Sequence, residues 1–170
     1  MRLIQIIAAA VLVALAGAVG WHQYQLANPR TDPLPAFEAA FVDGATGFDP
    51  AELNRASLLN VFASDCIDCR SEMPLLLALQ AEGVTIYGVS TDGSVDQTLS
   101  FLAEAGNPYA GLMQAERGAI TEAFGEVSLP FTLILSNEGE ILAYIEGPVT
   151  VNILRNQIYP ILDRQARLAR

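Results

Sequence analysis

Two hydrophobic periods alternate along this chain. Leu58-Leu59-Asn60-Val61-Phe62-Ala63 is a short apolar run with one polar residue inside it, and it reads as a buried strand. Cys66 to Glu82 carries its apolar residues (Met73, Leu75, Leu76, Leu77, Leu79) at helical spacing, with Pro74 expected to kink it and Gly83 to end it. Val84 to Val89 repeats the strand signal, and Val95 to Ala105 repeats the helix, closed by Gly106-Asn107-Pro108. A short helix is expected near Gly118 to Phe124. Phe131 to Leu135 then reads as a strand, Asn137-Glu138-Gly139-Glu140 as a hairpin loop, and Ile141 to Ile145 as the partner strand. Thr150 to about Ala169 reads as a terminal helix interrupted at Pro160. Earlier, Ala36 to Val42 suggests a short edge strand, Asp43-Gly44 a turn, and Asp49-Pro50-Ala51-Glu52 a capped helix start. Strand, helix, strand, helix, then a hairpin and a helix predict an α/β fold. Its central sheet is mixed parallel and antiparallel, flanked by helices on both faces.

The N-terminus follows another rule. Leu3 to Trp21 is almost wholly apolar and, at ~1.5 Å per residue, spans about 28 Å, close to the ~30 Å hydrocarbon core of a bilayer. Arg2 before it predicts a cytoplasmic N-terminus with the remainder exported. Small residues such as Ala14-Leu15-Ala16 also allow a cleaved signal sequence. The expected organisation is therefore residues 1–21 as membrane anchor or signal sequence, 22–35 as an extended proline-rich linker, and 36–170 as the folded domain. A formal charge of −10 argues against nucleic acid as a partner. All nine cationic side chains are Arg, which excludes lysine-based covalent chemistry.

The chemistry lies in Cys66-Ile67-Asp68-Cys69, which holds the only two cysteines of the chain. A strand that delivers two cysteines to the first turn of a helix is a redox arrangement. Three-residue spacing puts both thiols on one helix face, with Cα atoms roughly 5–6 Å apart, as a disulfide requires. The helix N-terminus eases ionisation of the first thiol. A zinc site would need two further ligands, and the sole histidine, His22, is remote. Haem attachment would need His where Arg70 stands. No cofactor and no metal are expected. Glu72, three residues after Cys69, could relay the Cys69 proton; the alternative is an exposed carboxylate paired with Arg70 or solvent. Tyr109 is read as a packing residue.

The block Leu59-Asn60-Val61-Phe62-Ala63-Ser64-Asp65-Cys66-Ile67-Asp68-Cys69-Arg70-Ser71-Glu72-Met73-Pro74 resembles the signature of membrane-anchored periplasmic thioredoxin-like reductases. Gly106-Asn107-Pro108-Tyr109 and Val127-Ser128-Leu129-Pro130 follow at the family's distances and point to the DsbE/CcmG branch, the thiol:disulfide interchange proteins of cytochrome c maturation. The resemblance covers about residues 34–165. It implies a thioredoxin-like fold, Cys66 as attacking thiol, Cys69 as resolving thiol, a cis-proline at Pro130 beside the disulfide, and proton transfer at Glu72. Three positions depart from the family: Asp65 where Trp is usual, Asp68 between the cysteines, and Phe131 after the proline; Asn60 stands where cytosolic thioredoxins bury an Asp, as in other members of the branch.

The resemblance further implies a single-pass protein of the bacterial inner membrane with its catalytic domain in the periplasm. There it would take electrons from a membrane donor and reduce disulfides in apocytochrome c or its maturation chaperone. Two other functions fit less well. A thiol peroxidase would place Thr or Ser and an Arg around the thiolate. A non-enzymatic haem- or copper-pathway binding module would want His or Met beside the pair, and only Met73 is near.

Overall fold

The computed structural model describes residues 32–42 and 48–169. The apolar segment Leu3 to Trp21 and the Asp43-Gly44 turn lie outside the described residues, and among those described no helix is long and apolar enough to cross a membrane. One seven-stranded sheet organises this part of the chain, in the order β1-β7-β6-β3-β4-β5-β2. The strands are β1 (Asp32–Pro33), β2 (Ala40–Phe41), β3 (Ser57–Phe62), β4 (Ile86–Ser90), β5 (Gly111–Gln114), β6 (Phe131–Leu135) and β7 (Glu140–Glu146). The β3–β4 and β4–β5 pairs are parallel; β3–β6, β6–β7, β1–β7 and β2–β5 are antiparallel. The helices are α1 (Ile67–Ala81), α2 (Val95–Ala105), α3 (Arg117–Phe124), and, after β7, α4 (Val151–Ile153) and α5 (Tyr159–Leu168).

Alternation along β3 divides its side chains between two cores. Leu58 and Phe62 point to the face covered by Met73, Leu76 and Leu79 of α1, Phe101 and Leu102 of α2, and Leu154 and Ile158. Leu59 and Val61 point the other way, onto Ile120 and Phe124 of α3 and onto Leu34, Phe37 and Phe48. Every residue of β3 is buried, so this strand is the spine of the domain. Burying each of these Leu and Phe side chains is worth roughly 1.5–3 kcal/mol.

Several elements differ from the sequence reading. The helix starts at Ile67, with Cys66 as its N-cap, and continues past Pro74, whose exposed ring has no N–H for the Arg70 carbonyl one turn earlier. The edge strand shrinks to Ala40–Phe41, and Asp32–Pro33, read as linker, pairs with β7. β5 was not expected at all. Its four residues, Gly111-Leu112-Met113-Gln114, are too few to show a period, and its pairing with β4 defines it. Asp49 does cap a helical start, accepting the Ala51 N–H at 2.8 Å, but only one turn of 3₁₀ helix follows. The C-terminal helix is not interrupted at Pro160. It widens one turn earlier, in a π-helical turn at Leu154–Ile158, just before Pro160, which has no N–H to give a carbonyl of that turn.

Candidate active site

β3 ends beside the first turn of α1, and the turn between them carries the chemistry. Cys66 and Cys69 form a disulfide with Cα atoms 5.2 Å apart. Cys66 Sγ also accepts the Cys69 N–H at 3.1 Å, so the sulfur occupies the anion-favouring end of the helix. Cys66 is partly exposed and Cys69 is fully buried. Between them Ile67 is 85% exposed, and Asp65 and Asp68 are both exposed.

The turn is held from behind by a carboxylate that the sequence did not mark. Asp92 Oδ1 accepts both the backbone N–H and the hydroxyl of Ser64, each at 2.8 Å. Its Oδ2 accepts the hydroxyls of Ser90 at 2.9 Å and Thr98 at 2.8 Å. One side chain thus ties the residue two before Cys66 to the end of β4 and to α2. Asp92→Ala should cost about 2 kcal/mol, because it strips these donors of their acceptor. Urea unfolding should show a lower midpoint with an unchanged slope. A loss below about 0.5 kcal/mol would mean that water replaces the carboxylate.

Glu72 is not the exposed partner of Arg70. Arg70 pairs instead with Glu104 at 3.3 Å and lies over the Phe101 ring. Glu72 has 0% exposure, on the face of α1 turned to the sheet. Its Oε1 accepts from Asn60 Nδ2 at 2.9 Å and its Oε2 from the Val149 N–H at 2.8 Å. Burial raises its pKa to about 7 from 4.5; the two hydrogen bonds pull it down and Asp68 adds a smaller upward push.

Asn60 is the hub of this buried network. On β3 it faces Gly88 of β4 on one side and Thr132 of β6 on the other. Its Nδ2 also donates to Thr132 Oγ1 at 3.0 Å, and its Oδ1 accepts the Tyr109 hydroxyl at 2.7 Å. Tyr109 does pack, as expected, but it also carries this hydrogen bond.

The Leu129–Pro130 peptide is cis, and Pro130 is buried at the start of β6. Phe131, which departs from the family, points away from the redox face. It is fully buried in the second core, stacked on Tyr144 with ring centroids 5.3 Å apart and packed against Phe124. Its substitution therefore changes the core rather than the surface a partner meets.

A disulfide of Cys-x-x-Cys spacing at a helix N-terminus, on a central strand of a mixed sheet, defines a thioredoxin-like thiol:disulfide oxidoreductase. No family model matches the chain. Among curated proteins it is 32% identical over 162 residues to the thiol:disulfide interchange protein HelX of Rhodobacter capsulatus, covering 89% of this chain and 92% of the relative. It is 31% identical over 147 residues to CycY of Rhizobium leguminosarum bv. viciae, covering 84% of this chain and 74% of the relative. The fold matches the solution structure of a thiol:disulfide interchange protein from Bacteroides sp. with a TM-score of 0.62 and 22% identity, over 78% of this chain and 90% of the other. The thio-disulfide isomerase of Thermus thermophilus gives a TM-score of 0.59 at 20% identity, over 76% and 94%. The chain belongs to the family of thiol:disulfide interchange proteins that includes HelX, CycY and DsbE.

Proposed function

We propose that this protein is a reductant. Anchored by residues 3–21 in the bacterial inner membrane with its domain in the periplasm, it takes electrons from a membrane donor. It passes them to a disulfide in apocytochrome c or its maturation chaperone. The organisation is that of anchor, linker and thioredoxin-like domain. Cys66 thiolate attacks one sulfur of the target disulfide, expelling the other target sulfur as thiolate and leaving a mixed disulfide. Cys69, deprotonated, then attacks Cys66 Sγ. The target leaves with both cysteines reduced, and the protein is left with its own disulfide. Pro130 lines the place where the target chain lies, and Glu72 accepts the Cys69 proton.

The observation that carries the direction of transfer is the acidic setting of the dithiol, with Asp68 in the first turn of α1 and Asp65 just before Cys66. A nearby anion opposes the Cys66 thiolate and offsets the helix terminus, so the reduced form is not unusually stable. A poorly stabilised thiolate makes a reducing couple rather than an oxidising one. The test is the reduction potential, measured together with single-turnover reduction of a Cys-x-x-Cys-His peptide disulfide. A potential well below that of strong oxidases, with fast peptide reduction, is expected. Asp68→Asn should make the couple more oxidising by up to about 20–30 mV, at a pH where the thiolate is populated. A wild-type potential as oxidising as a dedicated oxidase, or no shift in the variant, would refute this direction.

A further inference from the structure

Glu72 reaches the sheet through Asn60, and Asn60 is in turn held by a phenol. Tyr109 follows the turn that leaves α2. Gly106 adopts φ +91°, and a Cβ there would lie 2.7 Å from Leu77 of α1, so the turn lies close against α1. Asn107 Oδ1 then accepts the Tyr109 N–H at 3.0 Å. The tyrosine ring enters the core with two close contacts. It stacks on Phe62, with centroids 5.1 Å apart and planes 19° apart. It also lies against Gly88, where a Cβ would meet ring atoms at 2.7–2.9 Å. The hydroxyl arrives at Asn60 Oδ1. Only a residue without a side chain at Gly88 leaves room for this approach.

We propose that Tyr109 and Asn60 are positioning residues: the phenol locks the Asn60 amide so that its NH₂ group, and not its oxygen, faces the carboxylate of Glu72. This rests on the reading of Glu72 as the group that takes the Cys69 proton. An amide has two faces of similar shape, and a flipped Asn60 would set an oxygen against the Glu72 oxygens. The buried Tyr109 O–H needs an acceptor and finds it in Asn60 Oδ1 at 2.7 Å, its other neighbour being the weakly accepting Met73 Sδ at 3.9 Å, and this favours the amide orientation seen. With Oδ1 satisfied, both Nδ2 hydrogens are directed, one to Glu72 and one to Thr132. The donors that face Glu72 are then the Asn60 amide and the Val149 N–H, and the titratable groups around it are Tyr109, Asp68 and the dithiol on its own helix. Burial above all, and the Glu72 charge after it, hold Tyr109 well above its ordinary pKa of 10, so it stays a donor throughout the working range.

Removing the hydroxyl while keeping the ring isolates this effect. Tyr109→Phe leaves Asn60 Oδ1 without a donor and releases the amide, so ionised Glu72 loses its hold on Nδ2. Single-turnover reduction of a disulfide peptide by the full chain, followed against pH, should show a limb that Glu72→Gln removes. In Tyr109→Phe the midpoint of that limb should move upward by about 0.5–1 pH unit. The Glu72 carboxyl carbon, followed by NMR in the ¹³C-glutamate-labelled oxidised protein, should move in the same direction by a similar amount. A merely structural tyrosine would lower the unfolding midpoint and leave both titrations in place. If Glu72→Gln removes the limb and Tyr109→Phe moves neither titration, the role of Tyr109 is overturned. If Glu72→Gln leaves the limb intact, the proton-transfer reading of Glu72 is overturned instead. The NMR titration then decides alone: an upward move retains the Tyr109–Asn60 lock as a control on Glu72 acidity, and no move overturns it.

Discussion

Cys66→Ser is expected to abolish disulfide reduction, whereas Cys69→Ser is expected to keep the attack and lose the release. The asymmetry follows from burial. Cys66 is partly open to solvent at the N-cap of α1, and Cys69 is closed off beneath it. An incoming disulfide therefore meets Cys66, whose sulfur already accepts a helix N–H and is favoured there as an anion. Without Cys66 no bond to the target forms, and the rate should fall to that of uncatalysed exchange. Without Cys69 the mixed disulfide has no internal resolving thiol and should accumulate as a covalent complex, visible on a non-reducing gel. Limited alkylation of the reduced protein should label Cys66 first. Labelling of Cys69 ahead of Cys66 would reverse the two roles.

The second large effect is on stability, and Glu72 carries it. Its carboxyl is at about 7 in the fold against 4.5 for an ordinary glutamate. Below about pH 4.5 both folded and unfolded chains hold the proton, and Glu72 exerts no pH-dependent effect. Between the two values the folded chain binds the proton more tightly than the unfolded chain, so stability falls as pH rises. Above pH 7 the full loss is reached, roughly 3 kcal/mol for a shift of this size. Glu72→Gln cannot ionise and should remove this slope. The difference between the unfolding free energies of wild type and variant, measured from pH 4 to 8, isolates this effect from all other carboxylates. A difference that stays flat across this range would mean that Glu72 titrates normally.

The redox core was legible because its signals are local. Two cysteines three apart, after an apolar run and before a helical period, mark the strand–turn–helix unit, whereas the role of Pro130 was legible only through the family resemblance. Pairing was legible only in part. The two-residue strands at the margins and β5 have no period of their own, and their hydrogen-bonded partners lie far off in sequence, so nothing in the chain near them announces a strand. The polar network was missed for the same reason. Asn60, Glu72, Tyr109 and Thr132 lie 12 to 72 residues apart along the hydrogen bonds that join them, and only the sheet register brings Gly88, Asn60 and Thr132 into one row. Glu72 was singled out by its distance from Cys69, but whether it faced water or the sheet could not be read from a helix that is apolar on much of its circumference. Asp92 gave one available signal: a run of Ser90, Thr91 and Asp92 closing a buried strand is an unusual gathering of acceptors and hydroxyls.

The margins of the sheet have a consequence of a different kind. β1 is two residues long and contains Pro33, which has no N–H to offer, and β2 is only Ala40–Phe41. A long, flat outer strand invites a passing chain to zip onto it, which is how soluble proteins begin to aggregate. A protein that works by touching other chains runs that risk at every encounter. Here β3, β4 and β6 are interior to the sheet, and β1 pairs with the longer β7 only at Glu140 and Ile141. The two outermost strands thus offer an encountering chain almost no ladder to extend.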